Sequence, residues 1–314
     1  MPTLIARRLA GLVVTLALAS LVVFAVLEVL PGDPARVMLG INASEEAIAA
    51  LRERLGLNAP LHRRYLDWVA GLPRLDLGRS LTYGSEVGAL IVERAAVSLP
   101  LALAALLLTV LIAIPVGALA ALRRGGATDT AIMGLAQLGI AVPNFWLAIL
   151  LVYVFAVGLR MLPSGGFPGW DDPVAAIRTL VLPSVALAVP QAAILARVVR
   201  SSLVETLGAD FVRTARAKGA SPRRTLWHHA LRNALVPVLT IIGLQFAFLL
   251  SGVVIIEQVF SLPGLGRLAF QAITQGDLPV VRGVVMMLVA AVIITNFLVD
   301  LAYALVDPRL RVAR

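Results

Sequence analysis

The sequence predicts an all-α polytopic membrane protein with six transmembrane helices and a small helical insertion between the first two. Two observations carry this fold class. The 314 residues are 60% hydrophobic and only 14% charged, whereas about 25% of a soluble domain is charged. Six stretches, 9–27, 95–122, 130–159, 179–196, 233–256 and 283–299, contain no charged side chain. A hydrocarbon core about 30 Å thick takes roughly 20 such residues as a helix. No segment alternates apolar and polar residues over ten positions, so helices rather than a closed barrel span the membrane.

The elements follow in order. Arg7-Arg8 precedes the first apolar run and could open a secretory or twin-arginine signal. That run is 19 residues long, beyond the roughly 7–15 of a signal core. The Ala17-Leu18-Ala19 triplet would put cleavage inside it. An uncleaved first span is expected, with residues 1–30 forming the N-terminus and that span. Residues 31–94 form the helical insertion. Pro31-Gly32-Asp33-Pro34 makes a turn, and Ser44 caps a helix whose first turn holds Glu45 and Glu46. Ile48, Leu51 and Leu55 share one face, and Gly56 ends it. Pro60 starts a second helix carrying Tyr65, Trp68, Val69 and Leu72. Tyr65 and Trp68 fit an interfacial aromatic belt. The insertion reads either as a cap on the outer span ends or as a contact surface for an external delivery partner, and a cap can be both. Residues 95–314 form a five-span core.

Arginine placement sets the orientation. With the N-terminus inside, the inner segments hold 14 Arg and Lys and the two short outer loops hold four. The long insertion, with eight Arg and eight acids, translocates largely regardless of charge. Both termini are expected in the cytoplasm.

Several function classes fall away. The net charge of +9 does not indicate nucleic-acid binding, because the apolar spans would have no place in water. The chain has no Cys, which excludes disulfides and thiolate metal sites. Of His62, His228 and His229, the adjacent pair cannot face one site on a helix. They remain the only acid–base candidates for a membrane enzyme, with no nucleophile spaced to work with them. The one lysine, Lys218, follows Ala217, so no phosphate-binding loop ending Gly-Lys-Ser/Thr exists here. Asp171-Asp172 lies beside Gly169 and Pro173 and reads as a solvated turn. The acids within spans, Glu28 and Asp300, sit near span ends, where they anchor against interface or arginine rather than relay protons. The alternative of a self-sufficient ion-coupled secondary carrier therefore lacks mid-span charge. The chain reads as a passage without its own engine.

One charged island stands in the second half. Residues 200–233 hold seven basic and two acidic residues between two spans. Residues 203–218 are expected to form one helical half, with Gly219 at its C-terminal turn. Ser221 caps the next half, Pro222 fits its first turn, and 225–233 leads into the span containing Pro237. Phe211 and Ala215 lie on one face. Ala215 and Gly219 permit close backbone approach by a partner, and Arg213 and Arg216 would steer it. A topology anchor alone would need the charge but no particular turn, and composition does not separate the two readings. Gln137, Asn144, Gln245 and Ser251 are polar groups within spans that either line a route or hydrogen-bond neighbouring helices. Pro143 and Pro237 would kink their spans.

The island resembles the cytoplasmic signature of the membrane subunit of bacterial ATP-binding-cassette importers for dipeptides, oligopeptides and nickel. That signature is Glu-Ala-Ala, three residues, Gly, nine residues, then Ile-x-Leu-Pro. Set on Gly219, it matches Ala215, Gly219 and Leu231, and departs at the Glu, the first Ala, the Ile and the Pro. The departures resemble the peptide branch, whose pattern is close to DFVRTARAKGAS and HALRNALVPV. Further likeness covers LPGDPA at 30–35, LGLNAPLHRRYLDW at 55–68, DLGRSL at 76–81, VPNFWLA at 142–148, EQVFSLPGLGR at 257–267 and VDLAYALVDPRLR at 299–311. The resemblance implies a type I importer permease of six spans, paired with a second, homologous permease subunit. It implies two cytoplasmic ATPase subunits that hold ATP and Mg²⁺, with no cofactor in this chain, and an extracytoplasmic substrate-binding protein. It implies that residues 210–222 dock an ATPase, through Asp210, Phe211, Arg213, Thr214, Ala215, Lys218, Gly219, Ala220, Ser221 and Pro222. The chain would then form half of an alternating-access pathway, with peptide as the default cargo and nickel or another solute left open.

Overall fold

The computed structural model describes residues 2–29, 33–40, 42–221 and 224–306. These residues are mostly helical, with one isolated bridge, Arg79 to Glu86. They divide into two compact units. One comprises Pro2–Ser98 and Pro263–Ile294; the other comprises Leu99–Leu262 and the chain from Thr295 onward.

The first unit opens with α1 (Pro2–Val29), whose apolar outer faces suit lipid. The expected turn at Pro31-Gly32 lies outside the described residues, but Asp33 caps α2 (Pro34–Leu39) by accepting the Ala35 N–H at 3.1 Å. Ser44 Oγ caps α3 (Glu45–Arg54) through the Ala47 N–H at 3.2 Å. Gly56, at φ +66°, closes α3. Its N–H bonds to the Glu53 carbonyl, and that of Leu57 bonds to Arg52. This double closure needs a left-handed residue, which glycine supplies without a Cβ penalty.

Helix α4 (Leu61–Gly71) corrects the aromatic-belt reading. Trp68 is only 9% exposed, and the Phe24 ring of α1 lies 5.3 Å from Tyr65 and 6.1 Å from Trp68. Tyr65 Oη and Ser20 Oγ are 3.0 Å apart. Trp68 and Tyr65 thus pack on α1, where such rings bury a large apolar area. Glu28 is an anchor, as expected of an acid at a span end. It pairs with Arg64 at 2.5 Å and Arg282 at 3.7 Å, and the Arg282 guanidinium lies 4.6 Å from the Phe24 centroid. The unit also contains the start of α5 (Val87–Leu122), then α11 (Leu265–Gln275) and the first part of α12 (Leu278–Val306). Buried Asp277 caps α12 and accepts from Ser80 Oγ at 2.5 Å and the Thr82 N–H at 3.0 Å, fixing the loop before α5. The Asp300 side chain lies outside the described ones.

The second unit is built around α8 (Pro173–Leu207), which packs against α6 (Ala127–Ala141), α7 (Asn144–Leu151) and α10 (Leu231–Val259). Gly117 lets α5 close on α8. A Cβ there would sit 2.6 Å from the Ala196 carbonyl oxygen. More than half of the core joining α5, α8 and α10 is alanine, the small-residue packing that membrane helices use in place of a hydrophobic driving force.

One span differs from expectation. Residues 130–159 do not form a single helix: α6 and α7 meet at a 97° bend. Pro143 has no N–H to donate and clashes with a helical residue before it. Val142 accordingly turns extended, at φ −81° and ψ 120°. Helix α7 then widens into a π-turn over Val152–Gly158. The described residues thus contain five continuous helices long and apolar enough to span, and six when the bent pair counts as one.

Candidate functional site: the basic helix–turn segment after α8

The island is anchored from beneath and open above. Helix α8 ends at Leu207, and the Gly208 and Ala209 N–H groups bond back to Glu205 and Thr206. Ala209 is extended, at φ −70° and ψ 150°, and α9 begins afresh over Asp210–Ala217. The expectation of one helix through 203–218 is therefore corrected. Glycine at 208 is a poor helix former, and the extended Ala209 redirects the chain. Val212 of α9 is fully buried, and α9 packs on α8 and on a π-turn over Thr225–Ala230. That wide turn replaces the expected α-helix. It aligns residues five apart, so Leu226 and Leu231 both enter the core, with Ala230 and Ala234 beside them.

The outer face of α9 carries the rest. Asp210, Phe211, Arg213, Thr214, Lys218, Gly219 and Ser221 are exposed, and Ala215 and Ala220 are partly so. Phe211 leaves 46% of its surface open on a helix whose other apolar residue of size is buried. The Asp210–Arg213 pair, 3.5 Å apart, is fully solvated and adds little to stability.

The turn at Gly219 is a complete left-handed helix stop. The Ala220 N–H bonds to the Ala215 carbonyl at 3.1 Å, and the Gly219 N–H bonds to Arg216 at 2.9 Å. Gly219 sits at φ +87°, and a Cβ there would meet nothing within 4 Å. Glycine is needed for backbone handedness, and the space beside it is free. Ser221 Oγ then accepts the Arg224 N–H at 3.3 Å, the expected cap of the following turn. Pro222 lies outside the described residues, as do the side chains of His228 and His229.

The four polar span residues do not form one cluster. Gln245 is 2% exposed and donates to the Gln191 carbonyl at 2.8 Å. Gln137 is exposed and accepts from Arg197 at 3.2 Å. Asn144 lies against Gly252 of α10, where a Cβ would come within 3.0 Å of its amide nitrogen. Ser251, next to it in sequence, is exposed and bonds to its own helix at Ala247. Only Asn144 and the Ser251-Gly252 step are thus brought to one place.

Sequence reasoning missed an ion pair just above the island. Arg200 of α8 holds Asp129 of α6 through two bonds of 2.7 and 2.6 Å, and the Gly125 N–H adds a third at 2.9 Å. Asp129 is 4% exposed. The pair lies on the same α6–α8 seam as Gln137–Arg197. The available signal was a lone acid at the end of an apolar run, opposite an arginine counted only as a topology charge.

Two family models match the chain. Residues 113–312 match the binding-protein-dependent transport system inner membrane component, and residues 1–85 match the N-terminal part of the membrane component of such systems. The chain belongs to the binding-protein-dependent transport permease family. A peptide transport permease of Brucella abortus is 43% identical over 99% of both chains. The di/tripeptide transport system permease DppB of Pseudomonas aeruginosa is 39% identical over 99% of both. The glutathione transport permease GsiC of Salmonella choleraesuis is 38% identical over 97% of both. The fold is similar to that of the MetNI methionine ABC transporter in an inward-facing form, with a TM-score of 0.56 at 20% identity, over 69% of this chain and 96% of that one. The protein is thus a transmembrane permease component of an ABC importer and not an ATPase. The ion-coupled carrier finds no support. The three signature positions of this permease do separate jobs: Ala215 and Gly219 build the turn, while Leu231 is 9% exposed and belongs to the core.

Proposed function

We propose that this permease imports di- or oligopeptides, and that α9 with its Gly219 turn is where a partner ATPase acts. The observation that carries the reading is the construction of that turn. It is exposed, left-handed and unobstructed, yet its helix buries Val212 and packs on α8 and on the Thr225–Ala230 turn, which supply Leu203 and Leu226 to the core that joins α5, α8 and α10. A push on the turn would move those helices as a body. The names of the relatives support peptide cargo.

In this reading a second permease subunit supplies the other half of the pathway and two ATPases bind ATP and Mg²⁺. A binding protein delivers substrate on the opposite face, and both termini are cytoplasmic. ATP drives the cycle because it binds the closed ATPase pair more tightly than the open one. Residues 210–222 transmit that difference to α8 and α10. Asn144, Ser251, Gln137 and Gln245 remain candidates for lining the route; Gln245 Nε2 is engaged by the Gln191 carbonyl, while its buried Oε1 has no partner among the described residues.

Purification of the chain from its host should yield two ATPases and a second permease. Liposomes holding that complex with its binding protein should take up dipeptide only with internal ATP. Uptake by liposomes containing this chain alone, driven by a proton gradient, would overturn the reading.

A further inference from the structure

The loop between the π-turn after α7 and the start of α8 borders an open-mouthed cavity of about 670 Å³, within the range of about 300–1,000 Å³ common to small-molecule sites. Its walls are apolar for the most part, from Met161, Leu162, Pro163 and Phe167, and two arginines, Arg160 and Arg178, also line it. No carboxylate is among the lining residues. Asp172, close in sequence, is engaged in capping α8 through the Ala175 N–H at 3.0 Å. The cavity therefore presents two exposed arginines, and no carboxylate among its lining residues, beside an apolar wall.

The site is built rather than draped. The Gly166 N–H bonds to the Phe260 carbonyl at 2.8 Å. Gly165 lies so close to that carbonyl that a Cβ would collide with it. Phe260 is itself fully buried, so the loop is pinned to the end of α10. Phe167 and Trp170 meet edge to face at 5.4 Å. Arg178 is oriented by its bond to the Met161 carbonyl at 3.0 Å. Arg160 has no partner among the described residues, and its backbone is left-handed at φ +53°. A non-glycine residue is strained there, and such strain persists only where the surroundings over-determine it.

We infer that this cavity binds a small amphipathic carboxylate, and that its ligand is the C-terminal end of a short peptide. The guanidinium groups would take the carboxylate by charge-assisted hydrogen bonds, while the Met161–Phe167 wall would take the last side chain. This rests on the peptide reading and on the outward orientation of the loop. It assigns the permease a share in substrate selection before the pathway opens.

The test uses the purified transporter in lipid nanodiscs without its binding protein, with radiolabelled alanyl-phenylalanine and its C-terminal amide as probes. The acid should bind at least tenfold more tightly than the amide. The double variant Arg160→Gln with Arg178→Gln should erase that preference, and Arg160→Lys should restore part of it, since lysine keeps the charge but loses the fork. If the double variant does not assemble, Arg160→Gln alone decides, because Arg160 makes no bond that the described fold depends on. No binding of the acid, equal binding of acid and amide, or a preference unchanged by the substitutions would overturn the site. The peptide reading fails separately, if the complete transporter shows no ATP-driven peptide uptake while the acid preference stands.

Discussion

At the scale of single residues, Gly219 separates two roles that one substitution usually confounds. An L-residue in the left-handed region costs roughly 1–2 kcal/mol, yet nothing in the fold opposes a side chain there. Asparagine tolerates this region better than other residues with a Cβ. Gly219→Asn should therefore keep the turn, expression and monodispersity but cut ATP-driven uptake at least tenfold, because its side chain fills the space a partner needs. Full uptake by that variant would reduce Gly219 to a helix stop. Asp129 and Arg200 make a second case. Because the pair acts as a unit, Asp129→Asn, Arg200→Gln and the double variant should lower the thermal midpoint by similar amounts, a non-additivity that a double-mutant cycle measures. Additive losses would show that the two side chains serve separate partners. Asp33 gives a pH dependence. The hydrogen bond from Arg52 holds its carboxyl below the ordinary value of 3.8. A lowered carboxylate stabilises the fold above the unfolded value and loses that contribution as pH falls through the folded one. Protection of the Ala35 amide from hydrogen exchange, corrected for intrinsic rate, should thus persist below pH 3.8 and collapse only lower. In Asp33→Asn, protection that does not depend on pH is expected.

At the scale of elements, what was legible followed from local rules. Ser44, Gly56, Ser221 and Gly219 were readable because caps and left-handed stops depend on a residue and its near neighbours. The breaks were harder. Pro143 announced a kink, but a 97° turn requires that α8 and α10 accept two short helices in place of one long one, which is tertiary information. The π-turn at Thr225–Ala230 likewise depends on where Leu226 and Leu231 must point. Tyr65 and Trp68 carry the composition of an interfacial belt and were claimed instead by Phe24, since a ring does not specify whether lipid or protein covers it. Removing that contact is a direct check. Trp68→Ala should cost about 3 kcal/mol of local stability, roughly a hundredfold in the opened population. Limited proteolysis within 40–60 would read it as faster cleavage. Unchanged cleavage would show that α4 is held by Tyr65 on Phe24 and Ser20 and by the Glu28–Arg64 pair without Trp68.

At the scale of the whole molecule, hydropathy and arginine placement sufficed for the membrane class, the number of spans and an expected orientation. The absence of a phosphate-binding loop pointed to an external engine. Neither could identify a lever, because a topology anchor and a docking turn have the same composition. The geometry supports the proposed lever. An anchor needs only exposed arginine, whereas this segment couples an open glycine turn to a buried alanine-rich core. Because the chain contains no cysteine, an introduced one is the only thiol in this subunit. Single cysteines at Lys218 and at Thr82 are placed in the assembled transporter, and each is treated with a short bifunctional cross-linker. The account predicts that Lys218→Cys links to an ATPase subunit and that the link stops ATP-driven uptake, while Thr82→Cys links to no ATPase. A Lys218→Cys transporter that forms no ATPase link, or one that is linked and still transports at the normal rate, would contradict it.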